Sequence, residues 1–235
     1  MNVQRPGPLP AASLRRDAGT AVSLARLGRV DYLEAWELQR ALVERRQRGR
    51  GRDALLLLEH PPVYTLGKRA DRAHVLYGPE QLARRGIEVL EVDRGGDVTY
   101  HGPGQLVGYP ILALAGVRGV VDYVRALEDV LLRALSTLGV RATRVPGYTG
   151  VWVEEAKIAA IGVRVASGGV TSHGFALNVD PDLTDFGGIV PCGIAERGVC
   201  SLASLGVDAD LEAVAEVVTG AFAEVFAATL VDTPH

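Results

Sequence analysis

Cys192, between Pro191 and Gly193, is the residue whose type and setting suggest chemistry most directly. A thiol on a turn rich in Pro and Gly can be accessible, whereas structural cysteines usually sit inside apolar runs. Cys192 therefore reads as a nucleophile or as an inert thiol, and both readings stay open. Cys200, in Gly-Val-Cys-Ser-Leu, reads as a small core residue. Lys157 opens the strand-like run Ile158-Ala-Ala-Ile-Gly-Val. It is either a snorkelling surface side chain or, if buried, a base or ion-pair partner for a thiol, since burial disfavours its ammonium. His101 and His173 each follow a polar segment and precede a glycine, so each is an alternative base or a satisfied structural histidine. The chemistry open to this set is acyl transfer or hydrolysis through a thiol.

The segment Arg94-Gly-Gly-Asp-Val-Thr-Tyr-His-Gly-Pro-Gly-Gln105 lies between two apolar runs. Glycine lets such a loop take an unusual path and approach a ligand closely. It is not a phosphate loop, because no Gly-Lys-Ser/Thr follows. It reads as a tight turn between strands or as the wall of a site. His60, His74, His101, His173 and His235 show no metal-ligand spacing and neither cysteine belongs to a Cys-x-x-Cys pair, so no zinc site is expected.

These residues need elements to hold them. Ala21 to Leu27 reads as a strand ended by Gly28. Asp31 is a plausible cap for a helix carrying Tyr32, Ala35, Trp36, Gln39, Leu42 and Val43 at helical spacing. That helix runs out in Arg45, Arg46, Arg48, Arg50 and Arg52, a solvated end or a docking patch for an acidic partner. Ala54 to Leu58 reads as a buried strand, and His60-Pro-Pro forces an extended path toward Gly67. A short helix is expected over Pro79 to Arg85 and a strand over Ile87 to Val92. Another strand spans Leu106 to Leu114, with Pro110 suggesting an edge or a bulge. Val121, Val124, Leu127, Leu131, Leu135 and Leu138 form a helical stripe stopped by Gly139. Strands follow over Val140–Val145, Gly150–Val153, Ile158–Val165 and Val170–Val179, the last two joined at Gly168-Gly169. A final helix carries Leu211, Val214, Val218, Phe222 and Val225, capped by Asp208 or Asp210.

The chain has 235 residues, 48% hydrophobic and 23% charged, the composition of a globular protein with ample core. We expect a mobile N-terminal extension over 1–18 and a single catalytic domain over 19–235. A net charge of −3 gives no global pull toward nucleic acid or anionic membrane. Two cysteines are too few for a disulfide framework, though a single bridge stays open. No secretory h-region and no membrane-length apolar run is apparent, so the expectation is a cytoplasmic protein. Strands outnumber a simple strand–helix–strand alternation, which points to α/β or α+β with a mixed sheet rather than a doubly wound fold.

Four segments, Arg94–Gln105, Lys157–Gly162, His173–Val179 and Pro191–Gly193, closely resemble the octanoyl-[acyl-carrier-protein]:protein N-octanoyltransferases, the lipoyl(octanoyl) transferases of lipoate biosynthesis. The resemblance covers roughly Leu24 to Leu205 and leaves out the first residues and the final helix. It implies the fold of the biotin and lipoate protein ligases, a mixed, largely antiparallel sheet with flanking helices. It implies an acyl-thioester on Cys192, activated by Lys157. It implies a substrate pocket lined by Arg94, Gly95, Gly96, Asp97, Val98, Thr99, Tyr100 and His101, by Ala160, Ile161 and Gly162, and by Gly174, Phe175 and Ala176. The implied donor is octanoyl-acyl carrier protein. The implied acceptors are lipoyl domains of 2-oxoacid dehydrogenase complexes and the glycine cleavage H protein, with no cofactor and no metal. Exchange between thioesters is nearly isoenergetic, so the reaction asks for no ATP. The rivals are an ATP-dependent lipoate or biotin ligase on the same fold, a cysteine hydrolase using His101 or His173, and a non-catalytic carrier-protein binder.

Overall fold

Apolar runs of period two and of helical period alternate along the chain, and a computed structural model, describing residues 14–115, 119–190 and 198–233, shows the elements they form. The strands are β1 (Val22–Arg29), β2 (Ala54–Glu59), β3 (Val63–Leu66), β4 (Glu88–Glu91), β5 (Val98–His101), β6 (Gln105–Ile111), β7 (Thr143–Val145), β8 (Tyr148–Val153), β9 (Ala156–Val165), β10 (Thr171–Asn178) and β11 (Leu230–Asp232). The helices are α1 (Tyr32–Gln47), α2 (Pro79–Arg85), α3 (Gly119–Thr137) and α4 (Leu211–Phe226). An eight-stranded sheet runs β11-β1-β2-β6-β10-β9-β8-β7, and a three-stranded sheet runs β4-β3-β5. β1 is parallel to β11 and β2, and β3 is parallel to β4. The other pairings are antiparallel, which is the mixed, largely antiparallel sheet that the family resemblance implied.

The run Leu55-Leu56-Leu57-Leu58 is apolar throughout because both faces of β2 are covered. Leu55 and Leu57 pack with Leu127, Leu131, Val218 and Phe222 of α3 and α4. Leu56 and Leu58 pack with Ala35 of α1, Tyr109 and Ala176. α1 and α4 start where a side chain takes an orphan N–H. Asp31 Oδ1 accepts from Leu33 N at 2.9 Å, and Asp210 Oδ1 accepts from Ala213 N at 2.7 Å, so Asp210 rather than Asp208 caps α4.

The structure corrects several expectations. Val98–His101, read as part of a loop, is a strand of the small sheet. Pro110 is neither at an edge nor in a bulge, since β6 lies between β2 and β10. It pairs with Leu55 on one side, while on the other the ladder lapses beyond Gly108 and resumes in the same register at Ala113 and Val170. Thr171 Oγ1 bridges the gap, accepting from Leu112 N at 2.8 Å and donating to Pro110 O at 2.7 Å. Where the ladder lapses, this one hydroxyl satisfies the Pro110 carbonyl and the Leu112 N–H, so neither is left unpaired beside the proline.

Arg46 is buried rather than solvated, so the arginine run keeps only Arg45, Arg48, Arg50 and Arg52 exposed. Its Nε donates to Asp53 Oδ1 at 2.9 Å, and its guanidinium also pairs with Asp17. Arg15 Nε donates to the other oxygen, Asp53 Oδ2, at 2.9 Å, and Ala113 N donates to Oδ1 at 3.0 Å. Leu14 and Arg15 are packed in the core, so the lead-in as read, over 1–18, extends too far. One buried carboxylate thus ties the start of the described chain, the end of α1, the start of β2 and the segment after β6. Removing one partner of a buried ion pair strands the other charge. Asp53→Ala should lower stability by about 3–5 kcal/mol, read as the urea midpoint. A loss below about 1 kcal/mol would instead describe a surface pair.

Candidate active site

The small sheet carries the Gly-rich loop onto β9. Gly95 N donates to Val163 O at 2.9 Å. A Cβ at Gly162 would stand 3.0 Å from Gly95 O and 3.1 Å from Arg94 Cδ, so only glycine permits this approach without displacement. On the other side Gly67 N donates to Asp97 O at 3.2 Å and Lys68 N to Arg94 O at 3.0 Å. A Cβ at Gly67 would meet Gly96 O at 2.5 Å. The loop is therefore clamped between the end of β3 and the middle of β9. The Arg94 guanidinium, 6% exposed, donates through Nη2 to Thr65 O at 2.5 Å and through Nε to Thr65 Oγ1 at 3.1 Å.

Under this clamp lies a cavity of about 580 Å³. Arg94, Gly95, Gly96, Asp97, Val98, Thr99, Tyr100 and His101 line it, as do Lys157, Ala160, Ile161, Gly162, Gly174, Phe175 and Ala176. The structure thus brings the described candidate residues to one space. Cys192 lies outside the described residues. The lining also includes Tyr32, Arg69, Gln105, Tyr109, Val124, Tyr148 and Asn178, which the sequence reading did not single out for the site.

One wall is a chain of buried polar groups. His101 Nδ1 lies 3.2 Å from Gln105 Oε1, and Gln105 Nε2 donates to Asn178 Oδ1 at 3.0 Å and Tyr100 O at 3.2 Å. Asn178 Nδ2 then donates to Cys200 O at 2.9 Å. The amide assignments make His101 Nδ1 the donor. Burial, helped by His60 and Arg94, holds the His101 pKa well below the ordinary histidine value, so its imidazole is neutral. His60 donates from Nδ1 to Val30 O at 2.7 Å and accepts from Tyr109 OH at 2.7 Å. Burial pushes its pKa down to about 4. His173 also titrates low, because burial outweighs the hydrogen bond and charge of Asp93. At neutral pH this wall is uncharged.

Lys157 stands beside the Cys200 end of this chain of polar groups. Its Nζ lies 4.8 Å from the centroid of the Trp152 ring, a cation–π distance. Its backbone N donates to Gly198 O at 2.9 Å, and its O accepts from Cys200 N at 3.1 Å. Cys200 itself is buried, and desolvation pushes its thiol up to about 11, which leaves little thiolate at neutral pH. Gly95 N–H is committed to Val163 O and is not a spare oxyanion donor. A largely apolar cavity with Lys157 in its lining has the character to take an acyl chain. Among the described residues no group of His, Cys, Asp and Glu could hold a metal ion, and no helix is long and apolar enough to cross a membrane.

Residues 31–223 match the family described as the lipoyl protein ligase A/B catalytic domain. An octanoyltransferase of Acidobacterium capsulatum is 57% identical over 195 residues, covering 77% of this chain and 79% of its own. The octanoyltransferase of Chloroflexus aurantiacus is 53% identical over 205 residues, covering 86% and 92%. The bi-partite lipoate protein ligase of Thermoplasma acidophilum, described with its E2 lipoyl domain, superposes with a TM-score of 0.72 over 91% of this chain and 87% of that one. At 18% identity that likeness speaks for the fold alone.

The buried histidines make a prediction about acid. An unfolded histidine takes a proton near pH 6.5, whereas His60 in the fold resists protonation down to about 4. Below pH 6.5 the unfolded chain therefore binds more protons, and stability falls as pH falls, by up to about 1.4 kcal/mol per pH unit for each such histidine. Above that pH these groups contribute no slope. His60→Gln should flatten the loss between pH 6.5 and 4.5, measured by urea unfolding, and an unchanged slope would rule out this origin.

Proposed function

This chain belongs to the lipoyl protein ligase A/B catalytic domain family and is an acyltransferase, and from that premise we propose that it carries octanoyl from an acyl carrier protein thioester to a lysine of a lipoyl domain by way of a thioester on Cys192. The observation that carries this reading is the position of Lys157. It lines the apolar cavity and also binds, through its backbone, the Gly198–Cys200 segment a few residues beyond Cys192. On the other side Val190 N donates to His74 O at 2.9 Å, and Asp97, in the cavity wall, lies 2.7 Å from His74 Nδ1. The described chain thus stops and resumes beside the cavity. The names of these two relatives support octanoyl as the acyl group.

In the proposed sequence the Cys192 thiolate attacks the donor carbonyl, a new C–S bond forms and the old one breaks. The departing carrier thiolate takes a proton from the Lys157 ammonium. The acceptor amine then attacks the acyl-enzyme, a C–N bond forms, and the Cys192 C–S bond breaks. Lys157, now neutral, takes the amine proton, so the enzyme returns to its starting state. A lysine can shuttle in this way because its amine titrates, which a guanidinium does not. The Gly-rich loop, Ala160–Gly162 and Gly174–Ala176 are proposed to hold the substrate. The acceptors are proposed to be the lipoyl domains of 2-oxoacid dehydrogenase complexes and the glycine cleavage H protein, in the cytoplasm. The ATP-dependent ligase is the rival on this fold, and transfer from octanoyl-carrier protein without nucleotide separates the two.

Intact mass should show an octanoyl adduct on Cys192, labile to hydroxylamine. Cys192→Ala should lose the adduct and reduce transfer by at least about 10³-fold, and Cys200→Ala should keep both. Full transfer by Cys192→Ala would end the covalent mechanism. Lys157→Arg keeps a cation without a titratable amine. It should form some acyl-enzyme yet deliver it poorly, seen as accumulation of the adduct. Wild-type rates in Lys157→Ala would make Lys157 structural.

A further inference from the structure

His173 has features that a place in β10 does not require. Its φ is 56°, in the left-handed region that non-glycine residues rarely enter. Continuing the β6–β10 register, it faces Pro110, which offers no N–H, and its own N–H goes instead to Gln39 Oε1 at 2.7 Å. Phe175 and Leu177, of the same parity along the strand, belong to the core beneath α3 and α4. The left-handed residue turns the His173 side chain to the α1 face, where its ring lies 6.1 Å from Trp36 and 6.3 Å from Tyr109. There Nε2 meets Asp93 Oδ1 at 2.7 Å, and Asp93 Oδ2 meets Arg164 Nη1 at 2.9 Å. The other ring nitrogen, Nδ1, is buried without a hydrogen-bond partner. Backbone strain and an unsatisfied buried polar atom both oppose folding, and they persist where the surroundings enforce them, commonly at functional positions.

The register says what position this is. His173 pairs with Val163 on β9. From Lys157 to Val163 the strand advances about 20 Å, at ~3.3 Å per residue. With C–C bonds near 1.5 Å, an extended eight-carbon acyl chain spans roughly 9 Å. The Lys157 side chain leans along β9, since a Cβ at Gly150 would stand 3.5 Å from Lys157 Cε and 2.6 Å from Ala159 O. From Ala159 to Gly162 the strand advances about 10 Å, at ~3.3 Å per residue. A chain esterified beside the Lys157 ammonium would pass Ala160 and Ala176, which pair across the strands, and end near the Gly162–Gly174 pair, just before His173. His173 and all four of those residues line the cavity.

We propose that His173, clamped through Asp93 to Arg164, is the end wall of the acyl groove and sets the longest chain the enzyme accepts. This rests on the reading of the site as an acyl-thioester site. A longer chain would have to displace an imidazole held between Asp93 and two aromatic rings, or bury methylenes against a lone pair that no donor satisfies.

The test compares kcat/KM for octanoyl, decanoyl, dodecanoyl and tetradecanoyl carrier-protein thioesters. Wild type should fall steeply beyond ten carbons. His173→Gly, whose glycine takes the left-handed conformation freely, opens the wall and should raise the dodecanoyl-to-octanoyl ratio roughly tenfold, the worth of two buried methylenes. His173→Asn, smaller than histidine and also tolerant of that conformation, should shift the ratio the same way if the glycine variant does not fold. Equal use of octanoyl and tetradecanoyl by wild type overturns the end wall, as does an unchanged ratio in a variant that melts cooperatively. Absence of transfer at every chain length would instead overturn the acyl-thioester reading beneath it.

Discussion

The cavity exists because two backbones touch with no side chain between them. Gly95 and Gly162 bring the Gly-rich loop against β9, and one hydrogen bond, Gly95 N to Val163 O, joins the two sheets at that point. Such a bond contributes only about 1 kcal/mol, so it cannot hold the loop unaided. What fixes the geometry is the stiffness of both partners. Behind the loop, Tyr64, Leu66, Val98 and Tyr100 form the core of the small sheet, and Thr65 grips Arg94 from the same strand. Behind β9 stand α3 and the largest core cluster. A methyl group at Gly162 would part the two surfaces at the roof of the cavity, which ties the small sheet's packing directly to the space available for substrate.

The site also spends stability. Neutral His60, His101 and His173, with buried Tyr109 beside them, are polar groups removed from water, and His173 adds an enforced left-handed backbone. Most of these groups are satisfied, His60 by Val30 and Tyr109, and His101 by Gln105. The satisfied part of this network rigidifies what it lines. The Asp53 junction sits in the opposite part of the molecule's logic. It joins segments far apart in sequence through Arg15, Arg46 and Ala113, and none of those side chains lines the cavity.

Much of this was legible in the sequence wherever a local pattern decides the outcome. The helical stripes of α3 and α4, the Asp31 cap, the Gly168-Gly169 turn and the strand runs of β9 and β10 all lie where periodicity placed them. The candidate residues in the Gly-rich loop, at Lys157 and on β9 and β10 converge on one cavity. What escaped was set by distant contacts. Val98–His101 carries loop-like neighbours, yet pairing with β3 makes it a strand. Arg46 looks like its exposed neighbours until Asp53, which follows in the next strand's approach, takes its guanidinium. Pro110 suggests an edge by its own chemistry, yet it sits centrally where the β6–β10 ladder lapses, with its carbonyl taken by Thr171 Oγ1 from β10. Tyr32 and Tyr109 reach the cavity from α1 and β6, outside the segments that suggested the site, so no single stretch announces them.

The distribution of tryptophan has an experimental consequence. The chain holds two tryptophans, Trp36 and Trp152. Trp152 lies beneath the Lys157 ammonium, and Trp36 stands beside the His173 ring with Arg40 stacked 4.0 Å from its own centroid. Each end of the groove therefore carries its own indole, and the middle carries none. With either one replaced by phenylalanine, the intrinsic emission of the other becomes a label-free optical probe. With the acyl chain placed as proposed, one variant would follow events at the carbonyl and the other the arrival of the tail, so the two could be timed separately in a single mixing experiment.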